Sequence, residues 1–514
     1  MGSNADVNPR ESPEITGQPE IGSQNLQHED ADLEKNAAGA EDPVETRTRD
    51  QPEIVGWDGP DDPTNPKNWP LWRKWTVTLL TSLGGLVTLM SGAMIAPALS
   101  HISRHLHITP EDTQIALSIF ILAFAFGPLI LSPCTEVFGR KPVWIASSTC
   151  YVIWNVICGF STKRGTLIAS RFFSGFGASA QFAISFPVLS DCWKPEQRGK
   201  SFALATFIPL LGPAIGPIVG GVITENIGWR WIFWALAVFD AFLILLTFVF
   251  FQETHGQTIL KKKAKKLRQQ TGRNYRAEFE ATSPSLAHRL KVGLTRPYRL
   301  LISQPILQLL SLLLAYNFGI LYIVLSTFAT MWIDRYNQST ATSGLNYLAL
   351  VIGYTIAAQI GGPATDRIWA HMKQKHHGHT SPEYRVPLMV PGVLLIPAGL
   401  VWYGWSVQYR LHWAMPDVGI GLFGCGNILA TQAMQAYVMD AFADHTASAS
   451  AASQFLRNLF AFAFPIFAPR MYDSLQFGWG NSLLAFMFLA MGVPGPVVLW
   501  KWGAKLREMG KPQQ

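Results

Sequence analysis

Twelve apolar stretches follow one another between residues 74 and 500, and they leave little choice of fold. They lie near 74–98, 113–133, 142–160, 165–190, 201–224, 231–252, 305–333, 342–363, 385–407, 414–440, 446–470 and 478–500. Each reaches roughly the 20 residues that an α-helix needs to cross a hydrocarbon core. A helix satisfies its own backbone N–H and C=O groups in lipid, so an all-α membrane protein with 12 transmembrane helices is expected. Composition agrees: 15% of the 514 residues are charged, against about 25% in a typical soluble protein. That profile excludes a cytosolic enzyme, a nucleic-acid binder and a disordered tail. The five cysteines, scattered through or beside the apolar runs, offer neither a disulfide framework nor metal spacing.

The formal net charge of +7 is the sum of unlike parts. Residues 1–50 hold 12 acidic and 4 basic groups, and the other 464 hold 37 basic against 22 acidic. Basic residues on an apolar body are explained by membrane topology rather than by nucleic acid. Between the sixth and seventh stretches, residues 253–300 carry twelve Lys and Arg, opening with the run KKKAKKLR at 261–268. Loops on the same side hold thirteen Lys and Arg against seven on the other, which predicts cytoplasmic termini. The expected organisation is a disordered acidic N-terminus over 1–70, a six-helix half over 71–252 and a basic cytoplasmic loop over 253–300. A second half over 301–503 and a cytoplasmic tail over 504–514 complete it. The opening residues carry neither an apolar signal core nor a myristoylation pattern, so the first membrane helix is expected to target the chain. The sequon at Asn337 then faces outward as a glycosylation candidate.

SPCTE at 132–136 and GPATD at 362–366 follow the second span of each half, a weak internal repeat that suits two related halves. From residue 55 onward the chain resembles the major facilitator superfamily, and more closely the fungal twelve-span drug:proton antiporters. The resemblance rests on WDGPDDPTNPKNWP at 57–70, GPLILSPCTEVFGRKP at 127–142, RFFSGFGASA at 171–180 and GPAIGPIVGG at 212–221. WRWIFW at 229–234 and YVMDAFADHTASASAASQFLR at 437–457 also fit. QET at 252–254 departs from the PET usual there. The resemblance implies the major facilitator fold, with two six-helix halves that rock about a central cavity.

It also implies roles for particular residues. Glu136, Gly139, Arg140 and Lys141 match the loop motif of a cytoplasmic gate, in which a tight turn at Gly139 lets charges pair across the halves in the outward-facing state and part in the inward-facing one. Asp366 and Arg367 are its weaker echo, and positive-inside anchoring is the plainer alternative. Arg171 lies about six residues into the fourth span, ~9 Å below its outer end, where the resemblance implies proton coupling; snorkelling to the interface is the alternative. Gly212, Gly216 and Gly220, with Pro213, Pro217 and Gly221 beside them, match the antiporter motif and form a small-residue stripe. Gly353 and Ala349 in the eighth span are its expected partner surface. Asp240 and Arg457 fall near the midplane, each a proton carrier or a structural partner. By resemblance, spans one, four, seven and ten line the cavity, which nominates Gln181, Phe182, Asn317, Tyr322, Asn427 and Gln432; each also suits an interhelical hydrogen bond.

The function expected is proton-coupled efflux of amphipathic drugs, toxins or secondary metabolites, by a monomer in a fungal plasma membrane or vacuolar membrane. Its partners are a small-molecule substrate, protons and the lipid bilayer, with no nucleic acid, no cofactor and no metal. RGKS at 198–201 lacks the first glycine of a phosphate-binding loop, and no intramembrane His constellation suggests an enzyme. Proton-coupled uptake, polyamine transport and a non-transporting sensor of the same fold are the alternatives.

Overall fold

A computed structural model describes residues 53–194, 197–277, 285–376 and 381–509. The chain divides into the units Met1–Glu53 and Ile54–Gln514, and the account below concerns the second. Its first half contains α1 (Leu71–Ala93), α2 (Leu99–Leu106), α3 (Pro110–Phe138) and α4 (Arg140–Gly159). It continues through α5 (Arg164–Ala178), α6 (Ala180–Cys192), α7 (Arg198–Leu210), α8 (Gly212–Asn226) and α9 (Arg230–Phe250). A central segment carries α10 (Gly256–Thr271) and α11 (Leu286–Ser303). The second half holds α12 (Pro305–Tyr336), α13 (Thr340–Leu345), α14 (Tyr347–Lys375), α15 (Val386–Gln408), α16 (Ala414–Ala441), α17 (Thr446–Gly492) and α18 (Pro494–Met509).

Ten helical stretches among the described residues are long and apolar enough to cross a membrane. The last, Thr446–Met509, contains two crossings, because the backbone breaks at Gln476 with φ 59° and ψ 176°. Helix α16 has 28 residues, about 42 Å of helix, and supplies the twelfth despite Asp417 and Asp440 near its ends. Local chemistry sets the joints. Thr109 caps α3 by accepting the Asp112 N–H at 3.2 Å, with Pro110 in the first helical position, where its missing N–H costs nothing. Pro209 and Pro213 flank the α7–α8 joint, and Pro97 the α1–α2 joint.

Of the segment expected to be disordered, residues 1–52 lie outside the described residues, whereas 53–70 are folded. Strand β1 (Glu53–Val55) pairs with β2 (Tyr275–Ala277). Val55 packs with Leu260, Ala264 and Ala277 in a small apolar cluster. Asp62 takes the Asp58 and Thr64 N–H groups at 2.9 and 2.8 Å, which folds the WDGPDD turn. Lys263 of α10 bonds Asp58 at 2.6 Å and the Gly56 carbonyl at 3.2 Å, so this segment is stapled to the central one. The C-terminal helix likewise continues to Met509, past the expected end of the second half.

The glycine stripe of α8 packs within its own half. A Cβ on Gly220 would stand 2.1 Å from the Met94 carbonyl oxygen, so only glycine permits this approach to the end of the first span. The expected partner surface is corrected: a Cβ on Gly353 would stand 2.1 Å from the Gly421 carbonyl oxygen, so that face of α14 packs on α16. The other side of α8 meets the second half through α13, where a Cβ on Gly344 would lie 2.6 Å from the Pro217 carbonyl oxygen. Glu225 accepts the Ala341 N–H at 2.8 Å beside it. Arg470 of α17 also bonds Glu111 of α3 at 3.1 Å. The halves thus also meet at the end of the bundle away from the central segment.

Candidate functional site

The gate motif occupies the turn between α3 and α4. Gly139 has φ +97°, a backbone state that side chains rarely adopt, and a Cβ there would lie 2.4 Å from a Glu253 carboxylate oxygen. That carboxylate accepts the N–H groups of Arg140 at 2.9 Å, Lys141 at 3.3 Å, Thr254 at 3.1 Å and His255 at 3.0 Å. It thereby holds the first N–H groups of α4, where a helix favours an anion. The Arg140 guanidinium donates to Thr135 Oγ1 at 2.5 Å and to Asp191 at 3.4 Å. Lys141 donates to the Phe248 carbonyl at 3.0 Å.

Among the described residues, the basic groups of the motif do not pair directly with the second half in this conformation. Arg140 and Lys141 are bound within their own half, and only Glu136 reaches beyond it, to Arg289 of α11 at 2.5 Å. Helix α11 also touches the second half, where Arg296 meets His445 and Tyr298 packs edge-on against Phe455 at 4.9 Å. The central segment therefore bridges the halves in place of a direct pairing. Arg367 is exposed on α14, and the side chain of Asp366 lies outside those described. Reading the sequence missed Glu253 and Asp191. QET at 252–254 was informative only about where the sixth span ends.

His255 shows what this packing does to a titratable group. Its Nδ1 lies 2.8 Å from Thr258 Oγ1. Burial first, then the cations Arg140, Arg289 and Lys261, push the imidazole down from 6.5 to about 4. Between those values the unfolded chain binds more protons than the folded one, so acid favours unfolding. The stabilisation is complete above 6.5 and is lost as pH falls toward 4, up to roughly 3 kcal/mol. Melting curves between about pH 7.5 and about pH 5 should show this loss, and His255→Gln should flatten it. An unchanged pH slope in the variant would place the titration elsewhere.

Arg171 is fully buried on α5. Its guanidinium donates to the Ala116 carbonyl at 3.2 Å and the Ser91 carbonyl at 3.3 Å, and lies 4.3 Å from the Phe120 ring centre. Snorkelling is therefore excluded by geometry. Gly175, one turn on, brings α5 against α3: a Cβ there would stand 2.3 Å from the Phe120 carbonyl oxygen. Asp240 of α9 is buried, with Ser148 beside its carboxyl and Oδ2 without a partner. The buried Tyr151 hydroxyl lies beside Ser91 Oγ of α1 and within electrostatic reach of both Asp240 and Arg171. Ser118 Oγ and Gln114 Oε1 are further buried atoms without partners on α3. The first half thus buries a group of polar side chains that includes one cation and one acid that do not touch.

A cavity of about 700 Å³ lies between the halves, on the side of the central segment. Phe124, Phe182, Phe186 and Phe202 form its wall in the first half. Gln435 of α16 and Gln454, Arg457 and Asn458 of α17 face them from the second. Of the six nominated cavity residues, only Phe182 is in this wall. Asn317 donates to Thr431 Oγ1 and accepts from Asn427, both at 3.0 Å, so this pair is an interhelical hydrogen bond. Gln181 is buried against α1, where a Cβ on Gly84 would touch its amide, and Gln432 approaches Gly361. Tyr322 stands within electrostatic reach of Arg171 and Arg457. Gln435, one turn beyond Gln432, is the amide that reaches the cavity.

The family model described as Major Facilitator Superfamily matches residues 81–465. The chain is 40% identical to the probable efflux pump mfs2 of Aspergillus flavus over 417 residues, 80% of this chain and 98% of that protein. It is 40% identical to the efflux pump vrtL of Penicillium aethiopicum, over 94% of this chain and 96% of that one. Among solved structures, the xylose transporter XylE of E. coli in a partially occluded inward-open conformation aligns with a TM-score of 0.59. That alignment covers 84% of this chain and 99% of that one at 14% identity, a likeness of fold alone. Twelve crossings, a cavity between two halves and these relatives lead to one conclusion: the chain belongs to the Major Facilitator Superfamily, among fungal efflux pumps, and is a multi-pass membrane transporter rather than an enzyme.

Proposed function

We propose that this transporter exports amphipathic small molecules in exchange for protons by alternating access. The cavity carries the reading: about 700 Å³ of largely aromatic and aliphatic wall with a few amides and hydroxyls suits a bulky lipophilic solute. Its position on the side of the basic central segment suits loading from the cytoplasm. Proton exchange is assigned to Arg171 and Asp240, a buried cation and an acid that is free to bind a proton. The absence of any acid among the described wall residues speaks against polyamines. In this reading the protein works as a monomer in the plasma membrane with both termini cytoplasmic, and Asn337, exposed at the end of α12, is a glycosylation acceptor.

The test uses inside-out membrane vesicles with an acidified lumen containing a pH-sensitive dye. A panel of amphipathic solutes is added outside, with and without a protonophore. Exchange requires that a solute accumulate in the lumen while it accelerates proton loss, and that the protonophore abolish accumulation. Accumulation that is indifferent to the protonophore would remove the proton from the mechanism. Protons leaving together with a preloaded solute would reverse the assigned direction.

A further inference from the structure

We infer that the cavity selects amphipathic organic anions, with Arg457 as the group that binds the anionic end. The inference rests on the reading of the cavity as the substrate site and adds a substrate class to it. Arg457 is the sole charged side chain among the described residues that form the wall. No Asp or Glu faces it there. Its Nη2 donates to Gln454 Oε1, its plane lies 4.0 Å from the Phe318 ring centre, and its buried Nε has no partner. A guanidinium stays protonated, and in a low-dielectric wall its field is not screened by water. A guanidinium with no counter-charge in the wall attracts an anion and can donate charge-assisted hydrogen bonds to it. The same field repels a lipophilic cation.

The rest of the wall fits the body of such a molecule. Phe124 and Phe182 meet edge-to-face at 5.4 Å, and Phe186 and Phe202 lie 5.7 Å apart. These rings belong to the first half, whereas Arg457 projects from α17 of the second. The ligand therefore spans the halves, with its apolar body on one and its charge on the other. Ser132, Ser450 and Asn458 supply further hydrogen-bonding groups without adding charge. Carboxylates, sulfonates and phenolates share the required chemistry, and the structure makes no distinction among them.

Three probes of one shape test the charge preference: 2-naphthoate, neutral 2-naphthamide and cationic 2-naphthamidine. Binding is measured by equilibrium dialysis against the full chain in lipid nanodiscs, with empty nanodiscs subtracted. The naphthoate is expected to bind roughly tenfold tighter than the amide and the amidine weaker than both, a difference of about 1.4 kcal/mol for the first pair. Arg457→Gln should bring the naphthoate to the affinity of the amide and leave the amide unchanged, whereas Arg457→Lys should retain part of the preference. Equal binding of all three by the unsubstituted protein, or tightest binding of the amidine, overturns the anion assignment while leaving a substrate cavity. Failure of all three to bind overturns the cavity as the substrate site.

Discussion

Gly175→Val is expected to destabilise the protein by roughly 3 kcal/mol and to abolish transport, through a clash that no side-chain rotation relieves. The nearest atom to a new Cβ is the Phe120 carbonyl oxygen at 2.3 Å, and the Cβ of Ala123 is next at 3.0 Å. Backbone must therefore move, and α5 must part from α3. Arg171 lies on the same face of α5, one turn earlier, and its bonds to Ala116 and Ser91 would be drawn out with it. Gly165 provides the control. It lies in the first turn of the same helix with nothing within 4 Å of a new Cβ, so Gly165→Ala should match the unsubstituted protein or gain up to about 1 kcal/mol from helix propensity. Tryptophan fluorescence during heating reads both variants. If Gly175→Val melted like Gly165→Ala, the close approach of α5 and α3 would be wrong.

The second large effect separates coupling from folding. Among the described residues Arg171 is bonded only to carbonyl oxygens, so Arg171→Met strands no buried carboxylate. Replacing a whole buried ion pair by apolar groups is often neutral or stabilising, whereas removing one partner is costly because it strands the other charge. Here no carboxylate is left to strand. The variant should therefore melt within about 1 kcal/mol of the parent, while proton-driven accumulation falls at least roughly tenfold. Asp240→Asn should lower accumulation similarly, because an amide keeps the shape of the carboxyl and cannot release a proton. Downhill movement of preloaded solute should persist in both, since neither residue lies in the cavity wall. Full accumulation in Arg171→Met, in correctly inserted protein, would remove Arg171 from proton coupling.

The sequence declared its helices because lipid enforces length and apolarity in every crossing, and those two properties survive without an alignment. It also marked Gly139 within its motif and Gly220 within a small-residue stripe, although the stripe packs on the first span rather than on α14 as expected. Partners were another matter. Glu253 is 113 residues from the Arg140 N–H that it accepts, and nothing local at either position announces the other. Asn317 and Asn427 were legible as polar groups in apolar helices, yet whether such a group faces a cavity or a neighbouring amide depends on helix rotation. A period of 3.6 fixes that rotation only when one face is plainly polar, and these helices are apolar nearly all round. Asp62 and its turn were misjudged for the opposite reason: the segment is too polar to advertise the fold that side-chain hydrogen bonds give it.

That the described residues of the cavity wall include a cation and no acid has a consequence for the membrane voltage. When a lipophilic cation leaves as a proton enters, no net charge crosses the membrane, and only the pH difference drives the cycle. An anion leaving as a proton enters carries two elementary charges the same way. At an interior-negative potential of 100 mV the field then contributes ~4.6 kcal/mol per cycle. A transporter built around Arg457 can thus empty a cell of acidic solutes in neutral surroundings, where no pH difference remains, and it slows when the membrane is depolarised.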